Sequence, residues 1–385
     1  MKSFALTTKS LFVSFNSDLT KLRSLAFSCA LENTLLMLNF LPCSTKSLLR
    51  PALCVLFAFG LLSISACSTH KKVEVPQLLT PLVEANTGQL HAEINRLASV
   101  KSIHGKVDLQ FEDNSFAEAG VADKYRSADG TVTIQRPGKV YLVIQVPVVA
   151  TPVAQMTSDG EHFRIAILQG EEKYRRFVKG TNNAVYAKLD GDGSDPKKKQ
   201  RRGEKETVSA LSNLRPQHFT DALMIRDTQT GNEGFIYSQS EFFQEESDTR
   251  PGAKKSSRVV RGYYLLEELS LNSSRQAHLH RRFWFDRVGS IRLARLQTFD
   301  DHGLMVTDVA YDNDKLFGEN AQISLPTHVV LTRPQDRYTV SITYQAPESV
   351  IIDREYKPEA FVLENKWQLP EVDLDTHKDT PTSNP

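Results

Sequence analysis

Arg337-Tyr338-Thr339-Val340-Ser341-Ile342-Thr343-Tyr344-Gln345 alternates without a fault between apolar and polar side chains. Tyr338, Val340, Ile342 and Tyr344 fall on one side, and Arg337, Thr339, Ser341 and Thr343 on the other. A period of two marks a β-strand with one face buried and one wet. The same period runs through Val107, Leu109 and Phe111, through Val132 and Ile134, through Val140, Leu142, Ile144 and Val146, and through Phe163, Ile165 and Ile167. Further strands are expected at Gly234 to Ser238, Val259 to Leu271, Leu279 to Phe285, Ser290 to Phe299, Leu304 to Tyr311 and Ile323 to Leu331. The turns between them are short. Arg136-Pro137-Gly138-Lys139 places Pro and Gly at the centre of a type II turn, and Ser158-Asp159-Gly160-Glu161 is an Asp-Gly turn. Strands joined so briefly run antiparallel, wet outside and covered or hollow inside.

Helical periodicity is confined to a few segments. From Gln89 to Val100, Leu90, Ile94 and Leu97 recur on one face. Glu204 to Leu214 and Pro216 to Ile225 also read as helices, the second with Pro in its first turn, and together they form an insertion at 204–225. Before them, 190–206 reads as a mobile loop in which Asp190, Asp192 and Asp195 precede the basic run Lys197 to Arg202. Pro370, Pro381 and Pro385 among polar residues make 366–385 an expected disordered tail.

Upstream of all this, Ile64-Ser65-Ala66-Cys67 ends the apolar run Ala52 to Leu62 behind Lys46 and Arg50. A basic flank, a short apolar segment and small residues before a Cys read as a bacterial lipobox, in which the Cys67 thiol takes the lipid and becomes the mature N-terminus. The run is shorter than the ~20 apolar residues of a transmembrane helix, so it is read as a signal and not a span. Residues 1–66 are then a signal peptide, with Met37 a plausible start, and 67–84 a lipidated tether. The motif resembles that of bacterial lipoproteins, in which Asp after the Cys favours retention in the inner membrane; with Ser68 there, the resemblance implies the outer membrane, with the protein facing the periplasm.

All four cysteines, Cys29, Cys43, Cys54 and Cys67, lie at or before residue 67, so the mature domain has no disulfide, thiol catalysis or Cys-bound metal. Removing 1–66 takes six basic and two acidic residues from 47 and 46, leaving 41 against 44. No basic field points to nucleic acid.

The chemistry-bearing motifs are sparse. No Gly-x-Ser-x-Gly, His-Glu-x-x-His, phosphate loop or dinucleotide fingerprint occurs, so no enzyme and no cofactor is expected. The Asp190 cluster fails the calcium-loop template, which finds Arg201 where a carboxylate belongs. His278 and His280 share a strand face, but Arg281 and Arg282 beside them oppose a bound cation. The run Lys197 to Arg202 is read as a solvated loop before a contact for anionic headgroups.

The strand series from Arg136-Pro137-Gly138-Lys139-Val140-Tyr141 into Met156 to Phe163, preceded by an amphipathic helix, resembles the LolA/LolB family of periplasmic lipoprotein carriers and outer-membrane receptors. The second half is similar: Phe283-Trp284-Phe285-Asp286, Gly289, the turn Asp300-Asp301-His302-Gly303, Val309-Ala310-Tyr311 and Leu325-Pro326. The resemblance covers roughly Gln89 to Gln345 and rests on strand order and turns. It implies a mainly β, α+β fold over 85–365: a strongly bent, unclosed antiparallel sheet, or half-barrel, with helices capping the concave side of an apolar cavity. This chain is longer than those carriers and its insertion at 204–225 has no counterpart there, so no individual binding residue is carried over.

Expected at the interior are Val107, Leu109, Phe111, Leu142, Ile144, Phe163, Ile165, Phe283, Phe285, Tyr338, Val340 and Ile342, with the helices at Gln89 to Val100 and Glu204 to Ile225 as lid. The leading expectation is a membrane-anchored protein that accepts acyl chains or lipidated proteins. The alternative is a structural or assembly lipoprotein that docks other envelope proteins without lipid cargo.

Overall fold

The computed structural model describes residues 75–377, apart from 114–122, 125–126, 146–150, 171, 173–174, 183, 185–214, 229–230, 232–233, 273 and 319–322. Cys67, the loop 190–206, the helix expected at Glu204 to Leu214 and residues 378–385 therefore lie outside the described residues.

The strands are β1 (Gln77–Leu78), β2 (Ser102–Asp113), β3 (Asp123–Lys124), β4 (Ala128–Gln135), β5 (Lys139–Gln145), β6 (Pro152–Ser158), β7 (His162–Ile167) and β8 (Arg176–Thr181). The second half adds β9 (Phe235–Ser247), β10 (Arg258–Leu271), β11 (Ala277–Asp286), β12 (Arg292–Phe299), β13 (Met305–Phe317), β14 (Ile323–Arg333), β15 (Tyr338–Tyr344), β16 (Ile351–Ile352) and β17 (Glu371–Asp373). All belong to one sheet. From one margin to the other its main run is β9, β10, β11, β12, β13, β14, β15, β2, β4, β5, β6, β7, β8 and β17. β2 joins the halves: Val107 to Asp113 pairs with β15, and Ser102 to Leu109 pairs with β4 on its other edge. The margins do not pair with each other, so the sheet is open.

The expected architecture holds, with some corrections. The sheet is mixed, because β1 pairs parallel with β10 and β17 parallel with β8. Those two strands overturn two boundaries. The tether cannot extend to 84, since β1 joins the sheet and Leu82 bridges Val288. Nor does disorder begin at 366: Phe361 and Leu369 are buried, and the Phe177 N–H donates to the Pro370 carbonyl at 2.9 Å. These segments are too short to show a period, yet a sheet margin offers them free backbone groups. The turn at Arg136 to Lys139 is not type II, because Gly138 does not take a positive φ and lies against Gly160, which does (φ 110). β9 runs to Ser247, well past the expected Ser238, because a margin strand with mostly exposed side chains needs no apolar alternation.

Two helices are described. In α1 (Thr87–Ala98), Asn86 caps the start: its Oδ1 accepts from the Gln89 N–H at 3.0 Å while Gln89 Oε1 accepts from the Asn86 N–H at 2.9 Å. This capping box satisfies two donors that a helix end otherwise leaves orphaned. It also explains why the helix begins two residues before the apolar pattern suggested. Leu90, Ile94 and Leu97 face the sheet and are buried. α2 (Pro216–Leu223) starts on Pro216, whose missing N–H costs nothing at that position, and buries Phe219 and Ala222.

Candidate functional site

All the interior positions expected from the sequence lie on the sheet face that carries the helices. Phe111 is half-buried against the core; the others are buried, and Val107, Phe163, Phe283 and Phe285 have 0% of their surface exposed. They join Leu90, Ile94 and Leu97 of α1 and Phe219 and Ala222 of α2 in a single apolar cluster. A side chain with no exposed surface touches protein on every side, so no acyl-sized space adjoins those four positions in this conformation. Gly130 shows how close the strands come: a Cβ there would sit 2.7 Å from the Val143 carbonyl oxygen.

α2 covers this face over β5, β6 and β14 and is bonded to side chains of β13 and β15, and the strap of residues 224–228 follows it. Tyr311 Oη donates to the Ala222 carbonyl at 2.9 Å, one of the last carbonyls of the helix and without an intrahelical donor. His218 Nδ1 hydrogen-bonds Tyr338 Oη, and Tyr338 stacks on Phe111 with ring centroids 5.6 Å apart. Burial holds the His218 imidazole well below the usual histidine range, with Arg333 and Arg215 adding to the effect, so the ring is neutral.

The strap is clasped from several elements. Arg136 donates to Ile225 O and Val100 O, both at 2.8 Å. Arg281 donates to Arg226 O and Asp227 O, both at 2.9 Å, and its Nε donates to Glu268 Oε1 at 2.7 Å. Asn95 Oδ1 accepts from the Thr228 N–H at 3.1 Å, and His91 Nδ1 lies 2.9 Å from Thr228 Oγ1. Glu268 and Arg281 are directly cross-strand, 4% and 9% exposed. A buried pair of this kind is held by the bonds around it more than by its own attraction. Glu268 Oε2 also accepts from Tyr237 Oη at 2.8 Å.

The sequence reading gave no role inside the fold to Arg136, Arg281, Glu268, Tyr311 or His218. A signal was present: Glu268 follows Tyr264 and Leu266 in the same phase, and Arg281 precedes Phe283 and Phe285 in theirs. A charge in the apolar phase of a strand requires a partner inside.

The opposite face is polar. A cavity of about 250 Å³ lies there over Ala294, Ala310 and Val330, walled by Trp284, Tyr263, Glu246, Arg295 and Asp308. Its charges are engaged: Arg295 Nε donates to Asp308 Oδ1 at 2.6 Å and Tyr263 Oη to Glu246 Oε1 at 2.5 Å. On the same face, His328 links Asp312 (Nδ1 to Oδ1, 3.0 Å) and Ser341 (Nε2 to Oγ, 2.9 Å). This has the connectivity of a Ser-His-Asp triad. Ser341, however, is paired with both Val330 and Gln110 in the ladders, which occupy its backbone N–H, so that N–H is not available to an oxyanion. The array reads as a cross-strand polar ladder. His280 Nε2 lies 2.7 Å from Ser270 Oγ and His278 3.6 Å from Asp301; among the described residues no group of three His, Cys, Asp or Glu is placed to hold a metal.

No protein-family model and no curated protein matches the chain. Solved structures that it resembles include a LolA superfamily protein from Nitrosomonas europaea (12% identity, TM-score 0.36, covering 72% of this chain and 99% of that one). A DUF1329 family protein from Desulfovibrio piger matches at 11% identity and TM-score 0.37, over 71% of this chain and 95% of that one. A Vibrio parahaemolyticus domain described as an outer membrane lipoprotein-sorting protein matches at 10% identity and TM-score 0.36, over 71% and 94%. Likenesses at this level carry no residue, ligand or activity across to this chain.

Proposed function

We propose that this chain is a lipid-anchored envelope protein, facing the periplasm from the outer membrane, that takes an acyl chain, free or on a lipidated protein, between the inner sheet face and α2. The observation that carries this reading is the nature of the cover. A continuous apolar sheet face lies beneath an eight-residue helix and a strap held through its backbone carbonyls. Displacing α2 would give up the burial of Phe219, about 1.5–3 kcal/mol, and two hydrogen bonds at about 1 kcal/mol each. An inserted chain of about ten methylenes returns about 8 kcal/mol at 0.8 per methylene, enough to offset that cost. The lipobox at Ile64 to Cys67 supplies the address, and paired acyl chains the hold.

The test is a photoreactive fatty acid added to membranes that carry the full chain. Label should be recovered on peptides of α2 and of β5 to β7. Label confined to the polar face, or none above that of an unrelated lipoprotein, would refute lipid carriage. The docking alternative, favoured by the filled surroundings of Val107, Phe163, Phe283 and Phe285, would then stand. Cys67→Ala should leave an unprocessed or soluble protein; a processed Cys67→Ala form still in the outer membrane would overturn the anchor.

A further inference from the structure

The two margins of the sheet are treated differently. At one, the chain covers β8 with its own β17, which is three residues long, acidic, and tied by Lys179 to Glu371 at 3.3 Å and to Asp373 at 3.5 Å. A short charged margin strand is a poor template for further pairing. At the other lies β9, thirteen residues long, in unbroken register with β10 from Phe235 to Ser247. Among the described residues β10 is the strand that pairs with it. It contains no Pro, Gly, Lys or Arg, and no bulge turns it aside. Ile236, Phe242 and Phe243 are 46%, 40% and 48% exposed along it. Pro, Lys and bulges, which stop edge-to-edge pairing, are absent from this strand, and the charges it does carry, on Glu241, Glu245 and Glu246, each face an arginine of the same protomer.

We propose that β9 is an interface for a second copy of this chain, pairing antiparallel with its own counterpart across a two-fold axis and continuing the sheet from one protomer into the next. The strand is compatible with itself. With Ser240 on the axis, Phe243 falls opposite Tyr237 of the copy, Phe242 opposite Ser238 and Gln244 opposite Ile236, while Glu241 meets Gln239 and Glu245 meets Phe235. No glutamate faces a glutamate. Moving the axis one residue along, to Glu241, sets the two Glu241 side chains against each other, which an antiparallel pair disfavours. The acids are also balanced within each protomer: Glu241 by Arg287 at 3.1 Å, Glu245 by Arg258 at 3.1 Å and Glu246 by Arg261 at 3.4 Å. A strand neutralised in this way meets its copy without net repulsion. Such an isologous contact closes at two protomers and leaves no edge for open-ended growth.

The experiment uses the full chain in mild detergent with Cys29, Cys43 and Cys54 replaced by Ala and Cys67 kept for its lipid, so that, with the Cys67 thiol capped, one introduced thiol is the only free one. Ser240→Cys should oxidise to a dimer, because residues facing across the axis have Cα atoms about 4.5–5.5 Å apart, within disulfide reach. Phe242→Cys should not, since in this register the two copies lie four residues, about 13 Å, apart along the strand. Lys366→Cys, far along the chain on an exposed turn, reports chance collision within a micelle. In the thiol-free chain, Phe243→Lys should weaken dimerisation at least about tenfold in sedimentation while far-UV circular dichroism is unchanged. A chain that sediments as a monomer at about 100 µM, or that cross-links at Lys366→Cys as readily as at Ser240→Cys, overturns the proposal. So does preferred cross-linking at Phe242→Cys, which requires another register.

Discussion

Tyr311→Phe isolates the closure of α2 from the stability of the sheet. The ring keeps its place in the core, and only the hydroxyl that donates to Ala222 O at 2.9 Å is lost. That carbonyl is buried in the closed state and has no helical donor, so an unmade bond costs about 1–2 kcal/mol there and nothing once α2 lifts and water reaches it. At 1.4 kcal/mol per factor of ten, opening should become about 5- to 30-fold more favourable. Hydrogen exchange of the full chain reads this directly: the amides of α2 should exchange faster by that factor, while those of β13 and β14 stay within about twofold. If α2 carries acyl cargo beneath it, photolabelling at a limiting dose should rise in parallel. Unchanged exchange in α2, or acceleration spread equally over α2, β13 and β14, would refute the idea that this bond holds a separately opening cover.

Two further outcomes follow from the same contacts. Arg281→Met should lower the free energy of unfolding in urea by about 3–5 kcal/mol, because Glu268 is left charged and unpaired inside; Glu268→Gln added to it should recover more than half, since the charge goes while an acceptor for Tyr237 remains. Folded His218 titrates below its ordinary value of 6.5, so the unfolded chain binds a proton that the folded chain refuses. Stability is therefore intact above about pH 6.5 and falls as the pH drops, by up to about 1.4 kcal/mol per pH unit from this group. His218→Gln should shrink the loss in urea midpoint between about pH 7.5 and 5.5; an unchanged loss would remove His218 from the account. His91, His104 and His280, also lowered by burial, sustain the remainder.

Strand periodicity by itself determined that Val107, Leu109, Leu142, Ile144, Phe163, Ile165, Phe283, Phe285, Tyr338, Val340 and Ile342 share one buried face, because alternation is local: each side chain's face follows from its neighbour's. The same holds for the buried stripe Leu90, Ile94 and Leu97 on α1. What tertiary structure alone decided is what meets across distance. Ser102 to Leu109 of β2 pairs with β4 while Val107 to Asp113 pairs with β15, a junction between halves separated by two hundred residues that no period encodes. β17 is a strand only because β8 offers free backbone groups to it, and β9 extends to Ser247 only because β10 does the same. Arg136 and Arg281 become clasps because the fold carries the carbonyls of 225–227 to them; the charge of Arg281 in the apolar phase of its strand signalled a partner without naming it, and Arg136, in a turn, gave no such signal. Periodicity records which side of a strand is dry, whereas partners are set by the arrangement that satisfies every buried polar group at once.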